Sequence, residues 1–182
     1  MQNIGSDLCI RGQKVSTTWN YNLMAGPGDL TGDGNGDLLS RDSAGVLWLH
    51  PGDGAVDTKL GARIKVGSGW NAYDALVGAD DYSGDGRPDL LARYTSGRLF
   101  LYMGTGTATA PFAAREQIAT GWNVYDMLVV PGDIDGDSKG DVLARLPNGD
   151  MHVYTSTGNA GAATFTARVK FGTGWNIYKN MV

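Results

Sequence analysis

A single cysteine, Cys9, rules out any internal disulfide, and with nothing beside it to activate a thiol it reads as a small buried hydrophobe. Only two histidines occur among the 182 residues, too few for a Cys/His zinc cluster. No run approaches the ~18–20 consecutive apolar residues of a membrane-spanning helix. The formal net charge is -4, so no global basic field exists to hold a nucleic acid or an anionic membrane. The opening residues, MQNIGSDLCIRGQKV, lack a charged segment followed by an apolar one and do not read as a signal peptide. If the protein is secreted, this sequence is then a mature form or a recombinant piece. Proline is scarce at 6 residues, and no segment sustains a 3.6-residue hydrophobic period.

Glycine, by contrast, is abundant at 28 residues, and much of it sits in a phrase written three times. It reads DLTGDGNGD from Asp29 to Asp37, DYSGDGRPD from Asp81 to Asp89 and DIDGDSKGD from Asp133 to Asp141, each step being 52 residues. Every copy sets side-chain oxygens at positions 1, 3, 5 and 9 of a glycine-rich loop, a pattern able to surround a hard cation with oxygens. Around the loops, Trp70-Asn71-Ala72-Tyr73 matches Trp122-Asn123-Val124-Tyr125, and Trp175-Asn176-Ile177-Tyr178 after one inserted residue. Trp19-Asn20-Tyr21 is a shortened first copy.

After each loop come a short apolar run (Leu38-Leu39, Leu90-Leu91, Val142-Leu143), a turn at Gly45, Gly97 or Gly149, and an alternating strand. The alternating strands are Val46–Leu49, Arg98–Tyr102 and Asp150–Tyr154; closing strands follow at Ala62–Val66, Ala114–Ile118 and Ala167–Phe171. Short β-branched and aromatic runs between glycine turns are strands. The chain is therefore all-β, built of four-stranded antiparallel blades of a β-propeller on a period of about 52 residues. The blades are expected at 19–69, 70–121 and 122–174. Residues 1–18, with Ile10–Val15 as a strand, would end a preceding blade, and 175–182 would begin a following one. This count of about 3.5 blades falls below the roughly four to eight of closed propellers. Unpaired edges and exposed apolar faces would follow, so a homodimer that completes a ring, or the rest of a longer propeller, is expected.

The loop and its period resemble the FG-GAP/VCBS repeats of integrin-α-like propellers. The wording GWNxYDxLV…GDxxGDGxxDLLAR resembles bacterial arrays of the actinomycete type, often attached to secreted hydrolases. The resemblance spans roughly Ile10 to Val182. It implies Ca2+, about three ions per chain, held between the first and second strands of each blade. Carried over by residue, the ligands are Asp29, Thr31, Asp33, the Asn35 carbonyl and Asp37; Asp81, Ser83, Asp85, the Arg87 carbonyl and Asp89; and Asp133, Asp135, Asp137, the Lys139 carbonyl and Asp141. Thr31 and Ser83 depart from the usual acid or amide at position 3, and Ser138 stands where the other loops have glycine. The third site should carry most charge. The resemblance also implies an extracellular setting, which millimolar calcium suits, and a fungal lectin with similar blades shows that such propellers can bind sugar.

Competing readings of the same residues are weaker. Asp-Gly makes turns without metal, but turn formation alone does not ask for an acid at position 9. An EF-hand needs a Glu at position 12, where Ser40, Ala92 and Ala144 stand. Mg2+ prefers fewer protein ligands. The Trp-Asn-x-Tyr motif (Trp70, Asn71, Tyr73, Trp122, Asn123, Tyr125) is a candidate carbohydrate site, though repetition in every unit is what packing between blades predicts. Arg41, Arg93 and Arg145, and Arg63, Arg115 and Arg168, recur as well and read as ties between strands and blades rather than an anion channel. His50 and His152 fall at non-equivalent repeat positions, and no nucleophile elbow, P-loop or metalloprotease motif occurs. The sequence thus points to a non-catalytic calcium-binding module for protein interaction, adhesion or scaffolding, accessory to a secreted protein, with a lectin-like carbohydrate binder as the alternative.

Overall fold

The computed structural model describes residues 2–4, 7–10, 13–16, 19–54, 60–78 and 81–178, and side chains from residue 19 onward. Three four-stranded antiparallel sheets follow one another as simple meanders. The first contains β4 (Tyr21–Gly28), β5 (Asp37–Asp42), β6 (Leu47–His50) and β7 (Ile64–Gly67). The second contains β8 (Tyr73–Gly78), β9 (Leu90–Tyr94), β10 (Leu99–Tyr102) and β11 (Glu116–Ala119). The third contains β12 (Met127–Gly132), β13 (Asp141–Arg145), β14 (Met151–Tyr154) and β15 (Val169–Gly172). Ahead of them, β1 (Gln2–Ile4), β2 (Asp7–Ile10) and β3 (Gln13–Ser16) form a three-stranded meander. No α-helix occurs among the described residues; each Trp motif from Trp70 onward opens instead as a 3-10 turn.

The expected strands appear within about two residues of their sequence positions. The N-terminus differs: where the sequence suggested one strand over Ile10–Val15, β2 ends at Ile10 and β3 begins at Gln13. The Arg11-Gly12 pair between them is a turn signal in its own right. The strand expected from Trp175 to Val182 begins as a 3-10 turn over Trp175–Ile177, and residues 179–182 lie outside the described set.

Period-two alternation makes these sheets stack as blades. On β9, Leu90 and Ala92 join a core with Leu30, Leu39, Leu47 and Leu49 of the first sheet, while Leu91 points the other way. Leu91, with Leu99 and Leu101 of β10, packs against Val142 and Ala144 of β13. The second sheet thus buries both faces, one on each neighbour, so its strands read as nearly continuous apolar runs. The first strands lie side by side, β8 between β4 and β12.

Arginines tie blade to blade. Arg41 on β5 donates to the carbonyls of Trp70 and Tyr73, Arg93 on β9 to those of Trp122 and Tyr125, and Arg145 on β13 to those of Trp175 and Tyr178. Their Nε atoms are held at 2.8 Å by Asn22, Asp74 and Asp126 respectively. The second set works within blades: Arg63 reaches the Tyr21 hydroxyl and lies over the Trp48 ring, Arg115 reaches Tyr73 and Tyr94, and Arg168 reaches Tyr125. The first set thus ties blade to blade through carbonyls, as expected, whereas the second set meets tyrosine hydroxyls and aromatic rings within its own blade.

Candidate calcium loops

Each aspartate loop joins the first and second strands of a sheet, and its backbone is folded around its own first carboxylate. Asp29 accepts from the backbone N–H groups of Gly32 at 2.7 Å, Asp33 at 3.1 Å and Gly34 at 2.7 Å. Asp81 repeats this with Gly84, Asp85 and Gly86, and Asp133 with Gly136, Asp137 and Ser138. Burial would raise the Asp29 carboxyl, but the N–H groups of Gly34, Gly32 and Asp33 outweigh it and hold the group below its ordinary value. The hydroxyls at position 3, Thr31 and Ser83, each lie 3.3 Å from the carboxylate at position 1.

Turning the chain around that carboxylate needs a left-handed residue at position 6. Gly34 and Gly86 take φ of 88° and 83° there. Ser138 does not relax the loop: it adopts the same conformation at φ 70°, and is the one non-glycine residue with positive φ among the described residues. A β-carbon in that region costs on the order of 1 kcal/mol, so the third loop keeps the common shape under strain.

The position-9 acids have a role that sequence reasoning missed. Asp37 accepts from Thr31 N–H at 2.9 Å on one oxygen and from Gly52 N–H at 3.0 Å on the other. Asp89 accepts from Tyr82, Ser83 and Gly104, and Asp141 from Ile134 and Ser156. These buried carboxylates staple the loop to the turn after the third strand. Burial pushes Asp89 up to about 6 against the pull of these N–H groups, and it raises Asp37 as well. The signal in the sequence was the constant 15-residue step from each of these acids to Gly52, Gly104 or Ser156.

Position 5 is tied down locally. Asp33, Asp85 and Asp137 accept the N–H of the residue two further on, and Asp85 and Asp137 also pair with the side chains of Arg87 at 3.1 Å and Lys139 at 2.7 Å. The Lys139 contact holds Asp137 below the usual carboxylate range. One loop gathers acids at a possible ion position: carboxylate oxygens of Asp133, Asp135 and Asp141 lie within 4.8 Å of one another. Asp135 is pushed up first by desolvation and then by the charges of Asp137, Asp141 and Asp133. That is the crowding a cation relieves. In the other two loops the position-3 ligand is a hydroxyl, so this aspartate triad is specific to the third.

The loops also make the seam between blades. A Cβ on Gly32 would lie 2.7 Å from the Gly106 carbonyl oxygen, and one on Gly84 would lie 3.1 Å from that of Gly158. Leu30 and Tyr82, at position 2, plug the neighbouring blade, and the Ser156 hydroxyl donates to the Tyr82 carbonyl at 2.9 Å.

The Trp-Asn-x-Tyr residues are placed apart in function. Trp70 and Trp122 are 6% and 5% exposed, and Tyr73 and Tyr125 are buried with them; Asn71 and Asn123 remain at the surface beside the Gly45 and Gly97 turns. Ser40 and His50 form a hydroxyl–imidazole pair at 2.8 Å, but both are sealed from solvent.

Stacked four-stranded meanders with a glycine-aspartate loop after each first strand define a repeat protein of β-propeller blades. Residues 81–144 match the family described as FG-GAP-like repeat, a span that opens on the first aspartate of the second loop and ends just past the third. The chain carries an FG-GAP-like repeat there. No curated protein matches the chain. FG-GAP-like repeats belong to propeller-type interaction modules, generally non-enzymatic and typical of extracellular proteins. No helix among the described residues is long and apolar enough to cross a membrane.

Proposed function

We propose that this chain is a non-catalytic, calcium-supported propeller module that serves protein interaction or adhesion as the accessory part of a secreted protein. The observation that carries the calcium reading is the convergence of Asp133, Asp135 and Asp141 in a loop whose hydrogen-bond frame recurs twice more. The all-oxygen donor set fits a hard cation. In the third loop Asp133, Asp135, Asp137, Asp141 and the Lys139 carbonyl would hold it. Asp29, Thr31, Asp33, Asp37 and the Asn35 carbonyl would do so in the first, and Asp81, Ser83, Asp85, Asp89 and the Arg87 carbonyl in the second. A bound ion would supply charge neutralisation and rigidity at the seam, not chemistry. The chain's own part is to hold position 1 in a cage of N–H groups and to release position 5 from Arg87 or Lys139.

Two observations support a non-catalytic role. The Ser40–His50 pair is closed to substrate, and burial with the nearby Arg63 charge pushes His50 down to about 4, making it a weak base at neutral pH. The lectin alternative asks for indole faces open to a sugar, and Trp70 and Trp122 are packed between blades.

Calorimetric titration of chelator-stripped protein with calcium tests this reading. About three ions per chain are expected, tightest at the third loop, and Asp135→Asn should remove that tightest site while leaving the others. Absence of any calcium binding at millimolar concentration would sink it.

A further inference from the structure

The second blade carries two arginines on one aromatic platform. Arg98, in the hairpin between β9 and β10, sets its guanidinium carbon 4.7 Å from the Tyr94 ring centroid and 5.6 Å from that of Phe100. Arg115, just ahead of β11, lies 4.5 Å from the same Phe100 centroid and donates to the Tyr94 hydroxyl at 3.1 Å. Tyr94 and Phe100 pack on each other with centroids 5.3 Å apart. Both arginines are exposed and Tyr94 is half-buried beside them. The bonds from Arg115 to Tyr73 and Tyr94 both use Nη1, which leaves Nε and Nη2 for a planar, bidentate anion.

The neighbouring blades place an acid at this position. In the first, Asp42 stands where the second has Tyr94; the Trp48 indole N–H holds its carboxyl low, and the Arg63 charge adds to that. In the third, Asp150 stands where the second has Arg98 and pairs with Lys170 at 3.0 Å. In the second, no acidic side chain among the described residues pairs with Arg98 or Arg115. Asp74 is held by Arg93 on the side of the third blade, and Glu116 reaches toward Gly161 of that blade. Gln117, the cross-strand partner of Phe100, is a neutral amide where the first and third sheets carry Lys65 and Lys170. A chain of net charge -4 thus keeps two guanidiniums together with no carboxylate between them. Like charges so placed repel, and an anion relieves the repulsion.

We propose that Arg98, Arg115 and the Tyr94 hydroxyl form a docking site for the carboxylates of an acidic segment of a partner protein. Arginine and tyrosine are the residue types that anchor protein interfaces, whereas lysine is depleted there. The Tyr94 hydroxyl is a sharpened donor, held below its ordinary value first by the Arg115 hydrogen bond, with the Arg98 charge adding. Tyr94 closes β9 at the end opposite the second aspartate loop, so the site lies away from the candidate calcium positions.

This inference deepens the protein-interaction reading and rests on it, but not on calcium. Titrating the full chain with a hexaglutamate peptide, at low salt and in excess chelator, should shift the side-chain NMR signals of Arg98 and Arg115. The binding should weaken as salt rises, and hexaglutamine should not bind. Arg98→Gln should weaken hexaglutamate about tenfold. Gln117→Glu, which sets a carboxylate of the chain's own opposite Phe100, should do the same with both arginines intact. Both substitutions are at exposed positions, and both variants should keep the native circular dichroism. Peptide binding in a chain that takes up no calcium still supports the site. No shift at either arginine, equal binding of hexaglutamine, or an affinity unchanged in both variants overturns it and leaves the calcium reading standing. A sulfated oligosaccharide that binds there while hexaglutamate does not overturns it too.

Discussion

Arg93→Ala should destabilise the chain by about 2–4 kcal/mol, read as a loss in the urea unfolding midpoint, because it strips several buried partners at once. Arg93 is 9% exposed, donates to the Trp122 and Tyr125 carbonyls at 3.1 and 2.7 Å, and pairs with Asp74 at 2.8 Å. Without the guanidinium, two carbonyls at the mouth of a 3-10 turn lose their donor, and the second and third blades lose their tie. Asp74 is partly solvated, which keeps the loss below that of a fully buried pair. Arg41→Ala should cost less, since Asn22 rather than a carboxylate holds its Nε. Arg115→Ala, within one blade and exposed, should cost about 1 kcal/mol through its cation–π contacts and tyrosine hydroxyls. Equal losses for Arg93 and Arg115 would mean that the inter-blade tie contributes nothing special.

Acid should weaken the first blade through His50. Its imidazole is buried against Trp19 and Tyr21, with Ser40 on Nε2, and desolvation aided by the Arg63 charge pushes it down to about 4. The unfolded chain takes up that proton near pH 6.5. Between the two values the unfolded state binds more protons, so stability is fully present above about pH 6.5 and is lost as pH falls toward 4. The contribution is about 2 kcal/mol after allowance for partial solvent screening. Carboxylates titrate in the same window, so the test compares native protein with His50→Gln: the difference in unfolding free energy between them should change by that amount from pH 7 to pH 4. A pH-independent difference would show that His50 is charged in the fold or accessible to water.

How far the sequence reached depended on whether a feature was local. Period-two alternation and glycine punctuation located the strands of all three sheets, because those signals are written within a few residues. Leu90-Leu91 was legible only as a short apolar run; which neighbouring sheet each side chain meets is set by the fold. The strand pattern did not say that Tyr82 and Leu30 plug the next blade, since position 2 of a loop has no pattern of its own and the partner lies a full repeat away. The position-9 aspartates were recognised as necessary, but their tie to Gly52, Gly104 and Ser156 is a contact between two loops that only the fold brings together. Ser138 illustrates a different limit. A non-glycine at a left-handed position predicts either strain or a new shape, and the surrounding N–H cage around Asp133 decides for strain. The N-terminus was read as one strand because a single glycine does not break the strand pattern of Ile10–Val15 in the sequence, whereas β2 ends at Ile10 and β3 begins at Gln13.

Thermal unfolding of the native protein with 1–5 mM calcium and again in excess chelator tests the central claim most directly. If the aspartate loops are calcium sites at the seams between blades, a concentration ~100 times the dissociation constant adds about 2.7 kcal/mol for each site lost only on unfolding. For a chain of this size each kcal/mol moves the midpoint by roughly 2–4 °C, so chelation should lower Tm by at least ~5 °C. An unchanged Tm would contradict the account and leave the three loops as hydrogen-bonded turns that need no ion.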